Sequence, residues 1–296
     1  MTAPQIPNTA PDRLEVVGDV RATLGEGPVW DERTGRVVWV DIVGCMVHST
    51  HPGSGVTEST RLPSRVGAVA PRASGGWVAA LQDGFWTIGE GAPTRLAQVN
   101  TDPNLRFNDG KCDPRGRFWA GTIAEDQSSG TAALHRLDPD GNVTRMLDGV
   151  TISNGLCWSA DGTTMYYIDT PTGRVDAFAF EASSGEICDR RTVVSVPDGA
   201  GSPDGMTIDV EGGLWVAFWD GHVVRRYVDG RLDREIRLPV ARVTSCTFGG
   251  PDLDELYITT ASDGLTARQR RAQPLAGALF RARPGVHGVA PVAFDG

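Results

Sequence analysis

Four acidic or amide side chains recur at one position of a repeated sequence pattern, and their oxygens could bind a metal ion. They are Glu26, Asn108, Asn154 and Asp204, and a Gly follows each at the next or second position. If the chain brings them together, two carboxylates and two amides would be poorly solvated and would repel unless a cation lay among them. Oxygen ligands suit hard divalent ions such as Ca²⁺, Mg²⁺ or Mn²⁺. Zn²⁺ can bind through carboxylates, but its softness does not favour this set.

A repeat along the chain predicts how these side chains meet. Short apolar runs follow Asp- and Gly-rich turns at intervals of roughly 40 to 50 residues, the period of a four-stranded propeller blade. Six such units predict an all-β fold, a six-bladed β-propeller, with a large β-sandwich or two stacked all-β domains as the alternative. Equivalent positions of the blades are related by rotation, so the four side chains should converge at one end of the central channel. The turns lie near Asp31, Pro71, Asp113, Ser159, Asp209 and Gly250.

The predicted domain organisation is simple. Residues 1–13 have neither a basic region nor a hydrophobic run, so we expect a disordered N-terminal lead and not a signal peptide. Residues 14–296 are expected to form a single propeller domain. A ring of blades must close, and "LEVVGDV", residues 14–20, could pair with the last strands around "GALFRARP".

Composition excludes several classes of protein. A formal net charge of −9 argues against a nucleic-acid or anionic-membrane partner, since both require clustered Lys and Arg. No apolar run approaches the roughly 18 residues that a membrane span needs. Five widely spaced Cys without a CxxC pair, and five His without HxxxH spacing, indicate reduced thiols and a cytoplasmic location. We expect a monomer or a weak homo-oligomer. Asp109 and Asp113 are interpreted as turn or blade-edge residues, since Asp is common in turns.

Several longer motifs resemble one family. "LGEGPVW", "RFNDGKCDPRGRFWAGT", "SNGLCWSADG", "SPDGMTID" and "FGGPDLDELYITTA" occur in order between about Leu24 and Ala261. They resemble the SMP-30/gluconolactonase/luciferin-regenerating family, also called regucalcin-like. The resemblance implies a six-bladed propeller that carries one divalent metal ion and hydrolyses sugar lactones.

The resemblance also implies which residues bind the metal. By position these are Glu26, Asn154 and Asp204. Three protein ligands would leave room for water and for the lactone carbonyl. We expect Asp204 to be the catalytic general base as well, because a carboxylate bound through one oxygen can accept a proton on the other. Glu26 would balance the metal charge, and Asn154 would be a neutral ligand.

Substrate binding is implied at three further positions. Arg106 and Asn108, in "RFNDGK", would contact sugar hydroxyls, and Glu125, in "AGTIAED", lies where some family members place another substrate-contacting acid. The form of this motif favours aldonolactones. Two alternatives stay open on the same residues: a propeller whose ion is structural or regulatory, and a promiscuous esterase or organophosphate hydrolase.

Overall fold

Six four-stranded antiparallel sheets make up the fold, a six-bladed β-propeller, as the computed structural model of the protein shows. The structure describes residues 14–296, so the disordered lead expected for residues 1–13 lies outside the described residues. The sheets follow one another along the chain, and the predicted propeller is confirmed. Blade 1 holds β2 (Gly25–Asp31), β3 (Arg36–Asp41), β4 (Met46–Thr50) and β5 (Thr57–Arg61). Blade 2 holds β6 (Val66–Pro71), β7 (Trp77–Leu81), β8 (Gly84–Ile88) and β9 (Thr94–Gln98).

The next two blades have the same build. Blade 3 holds β10 (Leu105–Cys112), β11 (Phe118–Ala124), β12 (Ala132–Leu137) and β13 (Val143–Val150). Blade 4 holds β14 (Ser153–Trp158), β15 (Thr164–Asp169), β16 (Arg174–Glu181) and β17 (Glu186–Ser195), with a 3₁₀ turn at Thr170–Thr172.

The last two blades complete the ring. Blade 5 holds β18 (Ser202–Ile208), β19 (Leu214–Trp219), β20 (Val223–Val228) and β21 (Arg231–Arg237). Blade 6 combines β22 (Val243–Gly249), β23 (Glu255–Thr260) and β24 (Leu279–Ala282) with β1 (Glu15–Val17), and a short helix, α1 (Ala267–Ala272), lies between β23 and β24.

Closure of the ring joins the two ends of the chain. β1 pairs antiparallel with β24, with Glu15 opposite Arg281 and Val17 opposite Leu279. The predicted pairing of residues 14–20 with the last strands is therefore confirmed. An N-terminal strand that completes a C-terminal blade leaves no unpaired seam in the ring.

The position of a strand within its blade decides its burial. The first strand of each blade faces the channel and packs between neighbouring first strands, so β2, β6, β14 and β22 are buried at every residue. The second strands, such as β3, β7 and β19, are also buried at nearly every residue, which explains why they are apolar runs without alternation. The fourth strands, such as β5 and β9, are mostly exposed. Apolar side chains fill each of the six interfaces between neighbouring blades.

Buried aspartates hold the turns at the end of the first strands. Asp209, fully buried, accepts hydrogen bonds from Gly213 N (2.8 Å), Trp215 Nε1 (2.8 Å) and Arg226 Nε (2.7 Å). Asp113 does the same in blade 3 through Arg117 Nε (2.6 Å), so its prediction as a turn residue is confirmed. Of the helices within residues 14–296, none has the length and apolarity that a membrane crossing requires.

We expect Asp209→Ala to lower the free energy of unfolding by about 3–5 kcal/mol, because it leaves the buried Nε of Arg226 and Nε1 of Trp215 without their shared acceptor. Asp233→Ala is the matched control, since Asp233 binds the same guanidinium (2.7 Å) from a side chain that is 40% exposed, and should cost under about 1 kcal/mol. Urea unfolding followed by Trp fluorescence measures both. Equal losses would contradict the role given to burial.

Candidate active site

A shift in strand register aims side chains of the first strands into the channel. In every blade, the pairing of the first strand with the second slips by one residue near its start. Residues at such a bulge leave the regular alternation and can point towards the axis. The slips fall at Glu26 in β2, Asn108 in β10, Asn154 in β14 and Asp204 in β18. The phase that the repeat predicts therefore has a structural cause.

Glycine is required after these residues for two different reasons. Gly27 has a φ of +49°, a conformation that most side chains disfavour. Gly205 is needed for space, because an added Cβ would lie 2.1 Å from Ser245 Oγ in the next blade. The same holds for Gly155, whose Cβ would lie 2.7 Å from Asp204 O. Close approach of neighbouring first strands is thus what gathers the site residues.

Five of the six predicted site residues line one pocket at the end of the channel. Its cavity volume is about 390 Å³. Glu125 is not part of the lining, although its Oε1 lies 3.4 Å from Arg106 Nε. The structure therefore brings together five of the six predicted residues directly and the sixth through Arg106. The five are Glu26, Arg106, Asn108, Asn154 and Asp204.

Two buried carboxylates meet at the base of the pocket. Glu26 and Asp204 are 4% and 6% exposed. Burial raises the pKa of Glu26 well above its usual range, and the negative charges of Asp204 and Asp109 raise it further. Burial likewise raises the pKa of Asp204, with Asp109 as the next cause. Within residues 14–296, neither carboxylate has an ion-pair partner. The pair therefore needs a shared proton or a cation.

Asp109 is a third carboxylate in this group, and its prediction as a turn or blade-edge residue is wrong. It lies inside β10, is 5% exposed, and accepts a hydrogen bond from Gly110 N at 2.7 Å. Burial raises its pKa, and the positive charge of Lys111 lowers it. Because Asn and Asp beside Gly are typical of turns, its sequence context gave no sign of this position.

The two amides form a fixed network. Asn108 accepts a hydrogen bond from Arg106 Nη1 at 2.8 Å and donates through Nδ2 to Ser153 O (2.8 Å) and Asn154 Oδ1 (3.2 Å). Asn154 donates through Nδ2 to Thr170 Oγ1 at 2.8 Å. These bonds direct the Asn154 amide oxygen towards Asn108 and its amide nitrogen towards Thr170. Thr170 follows a strand end without a distinctive motif, so sequence reasoning missed it.

Arg106 carries a buried donor that lacks an acceptor. It is 8% exposed, and burial lowers its pKa while the charge of Glu125 raises it. Its Nε makes no hydrogen bond within the described residues, and the nearby Glu125 oxygen lies outside acceptable hydrogen-bond geometry. Glu125 also pairs with Arg65, which the sequence did not indicate. Buried donors are usually satisfied, so the Arg106 guanidinium is suited to a polar ligand.

The donor set at the base of the pocket fits a hard divalent cation. Two carboxylates and an amide oxygen are the ligand types that Ca²⁺, Mg²⁺ and Mn²⁺ prefer. The described residues contain no group of three or more His, Cys, Asp or Glu with the geometry of a metal cluster. The amide oxygen of Asn154 would be the third ligand instead. A cation would also remove the repulsion between the two buried carboxylates.

Comparison with known proteins gives consistent matches over nearly the whole chain. The sequence model of a protein family, the SMP-30/Gluconolactonase/LRE-like region, matches residues 24–262. Regucalcin of Xenopus laevis is 40% identical over 296 residues, which cover 96% of this chain and 99% of the relative. YvrE of Bacillus subtilis, provisionally named a sugar lactone lactonase, is 40% identical over 284 residues, or 94% and 97% of the two chains. Regucalcin of Agrobacterium tumefaciens, described as a calcium-binding protein, superposes with a TM-score of 0.92 at 29% identity and covers 96% and 98% of the chains.

The raised pKa values predict how stability depends on pH when divalent ions are removed. Their stabilising contribution is fully present below the ordinary values of 4.5 for Glu26 and 3.8 for Asp204, and is lost as pH rises towards the higher folded-state values. Each unit of difference is worth about 1.4 kcal/mol. In EDTA, the melting temperature of wild type should therefore fall relative to that of Glu26→Gln/Asp204→Asn as the pH rises above about 5.

The matched control is Glu32→Gln/Asp252→Asn, which removes the same two charges from exposed positions. It should follow wild type, and differences between the variants cancel the groups that all of them share. Parallel curves for wild type and the Glu26/Asp204 double variant would contradict the assigned burial effect.

Proposed function

The chain belongs to the SMP-30/gluconolactonase/LRE-like family, and on this premise we propose that it hydrolyses sugar lactones with the help of one divalent metal ion. The observation that carries the proposal is the buried carboxylate pair of Glu26 and Asp204, which has no cationic partner in the described chain. The name of the Bacillus relative supports the lactone, and the description of the Agrobacterium relative supports the ion.

The ion would be held by Glu26, Asn154 and Asp204. Calcium, magnesium and manganese suit these oxygen ligands, and zinc is the less favoured alternative. When bound, a divalent ion supplies Lewis acidity, which polarises a carbonyl group and lowers the pKa of water. Two carboxylates would neutralise the ion, and the neutral Asn154 would leave it electrophilic.

Asp204 is proposed as the general base. Its carboxylate takes a proton from the attacking water while the water oxygen bonds to the lactone carbonyl carbon. The ring C–O bond then breaks, and the proton passes to the leaving ring oxygen, which becomes a hydroxyl. The product is an open-chain hydroxy acid that ionises and releases one proton to solution. Lactones are activated esters, so the step needs no nucleophilic serine.

Arg106, Asn108 and Glu125 are proposed to orient the substrate. The guanidinium of Arg106 lines the pocket and can donate to a sugar hydroxyl. Asn108 fixes the guanidinium through its 2.8 Å hydrogen bond and thereby sets the direction of that donor. Glu125 lies next to Arg106 and can accept a hydrogen bond from a sugar hydroxyl, since its side chain is 35% exposed. A purely structural ion would not need this arrangement.

Proton release on addition of D-glucono-1,5-lactone tests the function. We expect a rate above spontaneous hydrolysis that EDTA abolishes and an added divalent ion restores. Asp204→Ala should lose turnover completely. Glu26→Gln should raise the ion concentration for half-maximal activity by roughly tenfold, because fewer charged ligands weaken binding.

Glu32→Gln is the control for that substitution, because it makes the same chemical change at an exposed residue just beyond the other end of β2. Activity that survives EDTA, Asp204→Ala and Glu26→Gln would remove the metal and Asp204 from the mechanism. If the ion binds tightly but no lactone is hydrolysed, the ion is structural or regulatory.

Arg106→Ala tests substrate anchoring. If the guanidinium only holds hydroxyls, KM should rise by about tenfold or more while kcat falls much less. Arg106→Lys should recover little of the loss, since an ammonium lacks the planar fork of donors. Steady-state kinetics measure both constants, and an unchanged KM in Arg106→Ala would exclude the anchoring role.

A further inference from the structure

An additional acid, Asp263, lies in the wall of the pocket and has no role in the proposed reaction. It lines the same cavity as Arg106 and Asp204. Its charge reaches Arg106, whose pKa is lowered by burial and raised in part by Asp263. Asp263 therefore belongs to the electrostatic surroundings of the substrate-binding side chain.

The backbone holds Asp263 in this position. Asp263 N and Ser262 N both donate to Thr23 O, at 2.8 and 2.9 Å. Just before them, Ala261 forms a bridge with Leu24, two residues ahead of Glu26. The loop that carries Asp263 is thus tied to the segment that leads into β2, and its side chain keeps a fixed relation to the base of the pocket.

The other carboxylates at the mouth already have ion-pair partners. Glu125 is bound by Arg65 and Arg106, and Asp220 lies 3.2 Å from Arg242 Nε. In contrast, within residues 14–296 the carboxylate of Asp263 has neither an ion-pair partner nor a side-chain hydrogen bond.

The base of the pocket adds little positive charge. A divalent ion held by Glu26 and Asp204 would be balanced by their two negative charges. Part of the positive charge of Arg106 is offset as well, since its Nη1 donates to Phe107 O (3.0 Å) and Asn108 Oδ1 (2.8 Å) and its Nε faces Glu125. Among the described residues at the mouth, Asp263 is therefore the carboxylate that an incoming molecule meets without an ion-pair partner.

We propose that Asp263 makes the site selective for uncharged polyhydroxylated lactones and excludes lactones that carry a carboxylate or phosphate. This inference rests on the proposed lactonase function. A neutral polyol can donate a hydroxyl to the Asp263 carboxylate, which has lone pairs free to accept it. An anionic substituent meets like-charge repulsion at a partly exposed site and leaves that acceptor unused.

Two lactones that differ in one substituent, which is neutral in one and anionic in the other, test this directly. D-Glucono-1,4-lactone has a hydroxymethyl group at C6, whereas D-glucaro-1,4-lactone has a carboxylate there. Wild type should prefer the neutral lactone in kcat/KM, and Asp263→Asn should raise the glucaro-to-gluconolactone ratio by about tenfold, the scale of repulsion between unit charges several ångströms apart near a surface.

Two controls separate charge from structure. Asp263→Glu keeps the negative charge and should keep the discrimination. Asp252→Asn removes one charge from an exposed loop at the opposite end of the blades and should leave the ratio unchanged. Raising the NaCl concentration from 0.05 to about 0.5 M should narrow the discrimination of wild type but not that of Asp263→Asn, because salt screens exposed charges.

The outcomes are distinct. If wild type hydrolyses neither lactone, the proposed function fails and this inference with it. If wild type hydrolyses the neutral lactone but Asp263→Asn has the wild-type ratio at low salt, the lactonase function stands and the role of Asp263 is refuted.

Discussion

Burial of two carboxylates side by side at the propeller axis is the constraint on which the site depends. Glu26 and Asp204 come from blades 1 and 5, so only the closed ring brings them together. Their desolvation opposes folding, and the six apolar interfaces between blades must offset it. The stability of the ring and the affinity of the site for a cation are therefore linked, since whatever neutralises the pair also relieves the fold.

Much of this arrangement follows from the sequence because the repeat fixes both the fold and the phase of the site. Six units with turns in register predict six blades, and the residues at one phase, Glu26, Asn108, Asn154 and Asp204, do line one pocket. The reason is geometric, since rotational symmetry turns an equal position in the repeat into an equal position at the axis.

Contacts between blades were harder to predict. Asp109 reaches the site through the spacing of neighbouring first strands, whereas Thr170 lies in the turn after β15 and joins Asn154 of its own blade to Pro203 O of the next blade. No local pattern records those distances. Asp113 and Asp109 look alike in sequence, as acids beside turn formers. One nevertheless binds the backbone of a turn, and the other lies inside a strand close to two further carboxylates. Burial separates them, and it is a property of the assembled ring.

The seam that closes blade 6 has a consequence for access to the cavity. The chain runs from β1 through residues 18–24 directly to β2, and Thr23 O on that stretch receives both backbone bonds of the loop that holds Asp263. The segment that follows the ring-closing strand β1 is thus also the segment that holds one wall of the pocket entrance. Separation of β1 from β24 would free residues 18–24 and the loop that holds Asp263, and would therefore widen the entrance of the pocket. Blades 2 to 4 would keep their own hydrogen bonds. The stability of the β1–β24 pairing would thus set how often the pocket opens.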